Sequence, residues 1–179
     1  MILTGSKIND EVKRGNITIK PFSTEQVNPN SYNYRLGPVL KVFERFDGYK
    51  SFFEEIEMPR EGYILEAKKM YLATTYEVIG SQKYAMSLIG RSSLGRYGLF
   101  LQCSANLGHT SSTHKWTLEM VATIPIKLYP GMIIGQVSFW KNYGLFKKYC
   151  GRYGFLNHPQ ESLTPGDQKN YDINRKQNY

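Results

Sequence analysis

The sequence predicts a mainly β protein, a β-barrel or jelly roll fronted by one short helix. Two observations carry this: about ten short β-rich runs separated by Gly, Pro and Asn turns, and no long apolar pattern of helical period. The 179 residues suit one domain, and 41% hydrophobic with 14% aromatic residues can bury a core.

In chain order, Ser6 is the predicted cap of a helix with apolar Ile8 and Val12, and Gly15 its C′ residue. β-rich runs follow at 17–19, with Pro21-Phe22 behind it, then at 32–36, 39–43, 63–65, 70–75 and 84–89. Further runs lie at 99–101, 116–123, 126–128 and 133–140, each stopped by turn residues. From Lys141 the composition shifts to Lys, Tyr, Asn, Gln and Gly, and apolar periodicity fades. The expected organisation is a β domain over 1–140 and a basic arm over 141–179, without repeats or a Gly/Ser linker.

Lys and Arg number 23 against 15 Asp and Glu, a formal charge of +8 that favours nucleic acid or a phosphorylated small ligand. No apolar run reaches the roughly 18 to 20 residues that span a bilayer, and the first residues lack a signal-peptide profile. Cys103 and Cys150 are too few for a disulfide framework or a Cys-rich zinc site. The expectation is a soluble protein of the reduced cytoplasm with no membrane partner.

The most concentrated polar segment is Gly90-Arg91-Ser92-Ser93-Leu94-Gly95-Arg96-Tyr97-Gly98. Its glycines permit tight turns, its hydroxyls and amides donate to oxygens, and its arginines neutralise phosphate charge. It is no P-loop, because Arg96 and Tyr97 stand where Lys and Ser or Thr belong and no helical pattern follows. A Gly-rich surface turn is the plain alternative.

In Trp116-Thr117-Leu118-Glu119-Met120-Val121-Ala122, alternation places Thr117, Glu119 and Val121 on one face and Trp116, Leu118 and Met120 on the other. Burial would raise the Glu119 pKa into a usable acid–base range, whereas a cation beside it would hold it ionised as a rim glutamate. No metal site emerges. His109 and His114, five apart, fall on opposite faces of a strand, His158 reads as an exposed tail residue, and the zinc nucleobase-deaminase signature is absent. Cys103 reads as a small buried strand residue rather than a nucleophile.

Together these segments resemble the dCTP deaminase family, zinc-independent relatives of the trimeric dUTPases. The resemblance runs through Met1-Ile2-Leu3, 15–22, Asn28-Pro29-Asn30-Ser31-Tyr32-Asn33-Tyr34-Arg35-Leu36-Gly37, the Gly90 to Leu99 loop, Thr117-Leu118-Glu119 and 125–132. It implies a distorted jelly-roll β-barrel of the dUTPase-like type, assembled as a homotrimer with active sites between subunits and the arm folded over a nucleoside triphosphate. Ser92, Arg96 and Glu119 fall on the family's catalytic positions. Arg91, Ser93, Ala105, His109, Tyr143 and Arg152 fall in its nucleotide-binding regions, the last two by a looser match. The implied reaction is dCTP to dUTP plus ammonia, with Mg2+ carried by the phosphates, no zinc, and a nucleotide rather than nucleic acid as partner.

Three departures bear on substrate choice. His109 and Ser112 replace an aspartate that reads the sugar hydroxyl and an aromatic that packs under deoxyribose. Asn33 replaces a common aspartate, which counts against phosphoanhydride hydrolysis, and Gly154-Phe155-Leu156 replaces a glutamine-containing segment of the arm. The alternatives to a cytosine nucleotide deaminase are a dUTPase-type pyrophosphohydrolase and a non-catalytic nucleotide-binding or regulatory member.

Overall fold

The structure, a computed structural model, describes residues 1–48, 50–102 and 105–162. Cys103 and residues 163–179 of the expected arm lie outside the described residues.

Helix α1 spans Gly5–Lys13. Its N-cap is Thr4 rather than the expected Ser6: Thr4 is extended and its hydroxyl accepts from the Lys7 amide at 3.4 Å, while Ser6 already lies inside the first turn. Gly15 does end it. The Asn16 amide reaches the Glu11 carbonyl and the Gly15 amide the Val12 carbonyl, a pairing that needs the left-handed backbone of Gly15, φ 74°.

Strands β1 (Ile17–Lys20), β2 (Tyr32–Arg35), β3 (Val39–Phe46), β4 (Ser51–Glu57), β5 (Tyr63–Leu65), β6 (Met70–Thr74) and β7 (Val78–Ser81) follow. After them come β8 (Tyr84–Gly90), helix α2 (Ser92–Arg96), β9 (Leu99–Leu101), β10 (Leu107–Gly108), β11 (Thr113–His114), β12 (Thr117–Ala122), β13 (Ile126–Leu128) and β14 (Ile133–Lys141). A 3-10 turn, Thr24–Gln26, precedes β2. Pro21-Phe22 is not strand.

The larger sheets run β4-β3-β6-β12-β9 and β10-β8-β14-β2; the smaller ones run β1-β7-β11 and β13-β5. Their paired strands are antiparallel, so residues two apart share a face. Leu118, Met120 and Ala122 of β12 turn inward with Leu40, Tyr71 and Ala73. They join Tyr32, Tyr34, Leu88, Val137 and Phe139 from the four-stranded sheet in one core. Each buried leucine, valine, methionine or phenylalanine among them contributes roughly 1.5 to 3 kcal/mol by leaving water. The opposite face of β12, carrying Thr117, Glu119 and Val121, is turned away from that core, as alternation predicts.

Beyond β14 the arm returns along the body. Asn142 donates to Thr110 Oγ1 at 2.9 Å, and the Tyr149 amide to Ser111 Oγ at 2.9 Å. Asn157 Oδ1 accepts from the Lys115 amide, and the Gln160 amide donates to Thr117 Oγ1. Glu161 closes the series on Lys41 of β3 at 2.7 Å. No helix among the described residues is long and apolar enough to cross a membrane.

Candidate active site

Glu119 sits on β12 between β6 and β9. Its backbone pairs with Leu72 on one side, and Gln102, the residue after β9, meets it on the other. The side chain is half-buried, and burial raises its pKa above the ordinary carboxylate value. The rim-glutamate alternative asks for a paired cation, yet among the described residues no Lys or Arg lies within ion-pair distance of Glu119. A half-buried carboxylate with no cation in contact among the described residues holds its proton more firmly and accepts one more readily.

The polar 90–98 segment is not a plain Gly-rich turn. Arg91 is extended at the N-cap, and Ser92 to Arg96 form one turn of helix, α2. Leu94 packs against the core, leaving Ser92, Ser93 and Arg96 exposed and Arg91 half-buried. The segment closes at Gly98, φ 80°, where a Cβ would stand 2.5 Å from Thr123 Oγ1 and the carbonyl accepts from the Thr123 amide. The result is a short platform of two hydroxyls and two guanidinium groups, a donor set suited to phosphate oxygens.

This platform and Glu119 stand at opposite ends of β9. Leu99, next to the platform, pairs with Ala122, whereas Gln102 meets Glu119. Three strand steps make that about 10 Å. Among the described residues no hydrogen bond or ion pair joins Glu119 to Ser92 or Arg96. One chain brings the three residues onto neighbouring segments without joining them.

The 105–112 region departs from the strand expected for its histidines. Ala105 is exposed and leads into β10. His109 follows β10 in an exposed turn, and His114 lies buried in β11, where burial lowers its pKa. The turn at Thr110–Ser112 separates the two, so they share no strand. Ser112, at the end of this turn, is buried. His109 instead stacks on Tyr149 of the arm, ring centroids 5.0 Å apart.

Tyr143 is fully exposed and Arg152 lies exposed in a turn, and among the described residues no hydrogen bond or ion pair joins either to Glu119 or α2. Asn33 is held elsewhere. Its Oδ1 accepts from Asn28 at 2.9 Å, and it shares a sheet row with Gln136 and Ile89. Residues that no periodicity or motif singles out, Gln102, Lys41, Tyr149 and Glu161, are the ones that touch Glu119 or fasten the arm beside it.

The antiparallel β body defines a protein of the jelly-roll class, with exposed hydroxyls and guanidinium groups at α2 and a half-buried glutamate on β12. The dCTP deaminase-like family profile matches residues 2–142, and the chain belongs to that family. It is 38% identical over 171 residues to a "dCTP deaminase, dUMP-forming" of Clostridium acetobutylicum, covering 93% of this chain and 98% of the relative. A Hathewaya histolytica protein of the same description is 40% identical over 167 residues, covering 91% and 96%. Among solved structures, the 2'-deoxycytidine 5'-triphosphate deaminase of Agrobacterium tumefaciens matches with a TM-score of 0.65 and 20% identity over 81% of this chain. The chain spans 49% of that structure's length, and the likeness concerns the fold.

Proposed function

We propose that the protein deaminates dCTP, with Glu119 moving the protons. The observation that carries this reading is Glu119 itself: half-buried, raised in pKa by burial, and among the described residues without a paired cation. The description shared by relatives at 38% and 40% identity supplies the substrate.

In this reading Glu119, ionised, takes a proton from water as the water oxygen attacks C4 of cytosine. The carboxyl then returns a proton to ring N3, and a further transfer lets ammonia leave, so dCTP and water give dUTP and ammonia. Ser92 and Arg96 orient the water and stabilise developing charge with fixed dipoles, and zinc has no part. Arg91 and Ser93 hold phosphate oxygens, with Ala105, His109, Tyr143 and Arg152 lining the rest of the nucleotide site. Mg2+ would neutralise the triphosphate while bound to it. Guanidinium groups and hydroxyls suit the phosphates of such a complex and not a bare cation.

Because about 10 Å of β9 separates Ser92 and Arg96 from Glu119, the complete site is proposed to form between copies of the chain in a homotrimer, with the platform of one copy facing Glu119 of another. Met70, Val121 and Phe100, an exposed apolar row beside Glu119 in register, offer surface for that contact.

A second reading adds phosphoanhydride cleavage. The relatives are described as dUMP-forming, so the second step would convert dUTP and water to dUMP and pyrophosphate, although Asn33 supplies no carboxylate for it. The test is incubation with Mg2+ and a panel of ribo- and deoxynucleoside triphosphates, following ammonia and pyrophosphate separately. Ammonia from dCTP supports the first reading, and equal pyrophosphate the second. Nucleotide binding with neither product overturns both.

A further inference from the structure

β9 ends at Leu101, one residue short of facing Glu119, and the chain leaves the sheet there. Gln102 starts the ladder's next rung: its amide donates to the Glu119 carbonyl at 3.1 Å. Its backbone then turns into the left-handed region, φ 50°, a conformation that favours glycine or asparagine over glutamine. That turn takes the Gln102 carbonyl out of the rung, and the Glu119 amide would lose its acceptor.

The side chain restores it. Gln102 Oε1 accepts from the Glu119 amide at 2.8 Å, and Nε2 makes longer contacts to the carbonyls of Thr117 at 3.3 Å and Ala105 at 3.4 Å. One carboxamide thereby stands in for the missing strand over two residues of β12, and reaches across to Ala105. The backbone on both sides of Glu119 is held by a residue whose own backbone is strained to do so.

We propose that Gln102 is a positioning residue for Glu119, fixing the direction of its Cα–Cβ bond and tying it to the Ala105 segment. This rests on the deaminase reading for what Glu119 does, and on the hydrogen-bond geometry alone for how it is held. The required chemistry is specific: an acceptor and a donor on one planar group, three bonds from the backbone. Leucine supplies neither, glutamate only the acceptor, and glycine relieves the backbone while losing the amide.

Three variants and two readouts test it. Gln102→Leu and Gln102→Gly should each lower kcat for ammonia release between tenfold and a hundredfold, with KM changed less than threefold, because misplacement of about 1 Å is costly to a reacting group. Gln102→Glu keeps the 2.8 Å acceptor and should recover part of that loss. It also puts a second carboxylate beside Glu119, moving the acid limb of the kcat profile to higher pH. On that face Lys41, two strands away, is already paired with Glu161 at 2.7 Å and with Glu55 at 4.0 Å, so the limb reports the new neighbour. Without substrate, hydrogen exchange at the Glu119 amide should be as slow as at Met120 in the wild-type protein and at least tenfold faster in Gln102→Leu. An unprotected Glu119 amide in the wild-type protein, or full activity in Gln102→Gly, overturns the proposal. Failure of the wild-type protein to release ammonia refutes the deaminase reading instead, and leaves the exchange result to decide whether Gln102 holds Glu119.

Discussion

Glu11 and Glu119 are the same residue in two opposite settings. Glu11, on α1, is buried among donors: Lys7 at 3.0 Å, Arg14 at 3.2 Å, Asn16 at 2.8 Å, the Tyr84 hydroxyl at 3.0 Å and Lys83 at 3.6 Å. The Lys7 hydrogen bond, against the upward push of burial and helped by Asn16 and Tyr84, draws its pKa down to about 2. Glu119 is only half-buried and has no cation in contact among the described residues, and burial moves its pKa the other way. Glu77 is also surrounded by donors: fully buried, it accepts from the Arg35 Nε at 2.7 Å and the Arg35 amide at 2.9 Å. The carboxylates that hold the fold together are surrounded by donors, and the one proposed for chemistry has none on its side chain among the described residues.

The largest expected break in this contrast is at Glu119. Glu119→Gln should cut ammonia release about 10³-fold while leaving dCTP affinity within threefold, because the amide keeps the volume and loses the proton acceptor. Isothermal titration beside a coupled ammonia assay separates the two effects. Arg96→Ala should cost about 10²-fold in kcat by removing a charge that stabilises the reaction. In mixtures of Arg96→Ala and Glu119→Gln subunits, activity should reappear if the site is shared between copies.

At the other carboxylate the effect falls on stability. Glu11→Gln should destabilise the fold by about 2 kcal/mol, read from the denaturation midpoint, since charged hydrogen bonds are lost while the freed cations can return to water. The folded-state pKa of Glu11 lies below its ordinary value of 4.5, so its stabilisation is fully present above that pH and drains away as pH falls toward about 2. Glu11→Gln should therefore flatten the acid unfolding curve across that window.

The smallest effect concerns the arm. Lys41 and Glu161 are partly exposed, with side chains 16% and 31% accessible, so their 2.7 Å bond is a modest fastening. Glu161→Gln should speed tryptic cleavage at Lys147, Lys148 and Arg152 about fivefold, and the double exchange Lys41→Glu with Glu161→Lys should reverse it. Unchanged cleavage in Glu161→Gln would show that Tyr149, Asn157 and Gln160 hold the arm without it.

These settings differ in how far the sequence reveals them. Alternation in 116–122 correctly puts Glu119 opposite Leu118 and Met120, and the strands at 63–65, 99–101 and 126–128 keep their expected bounds. β4 goes unforeseen because it is an edge strand, Ser-Phe-Phe-Glu-Glu-Ile-Glu, exposed or half-buried throughout, and so has no clean alternation. β7, β10 and β11 are short and carry Gly or His where a β signal would need branched side chains. Ser92–Arg96 becomes helix despite its glycine because Leu94 finds the core, a tertiary contact that local propensity cannot see. Gln102 escapes notice for a related reason: its role depends on where β9 ends relative to β12, and a lone glutamine after Leu-Phe-Leu carries no mark of that.

The most direct test of the central claim is a pH titration of the glutamate carboxyl carbons by NMR, with Glu119→Gln and Glu11→Gln used to assign the two signals. The Glu119 carboxyl should titrate above 4.5 and the Glu11 carboxyl near 2. The acid limb of ammonia release should follow the Glu119 signal, rising with pH as that group ionises. A Glu119 carboxyl titrating at or below 4.5, or an acid limb unmoved by its pKa, would contradict the account.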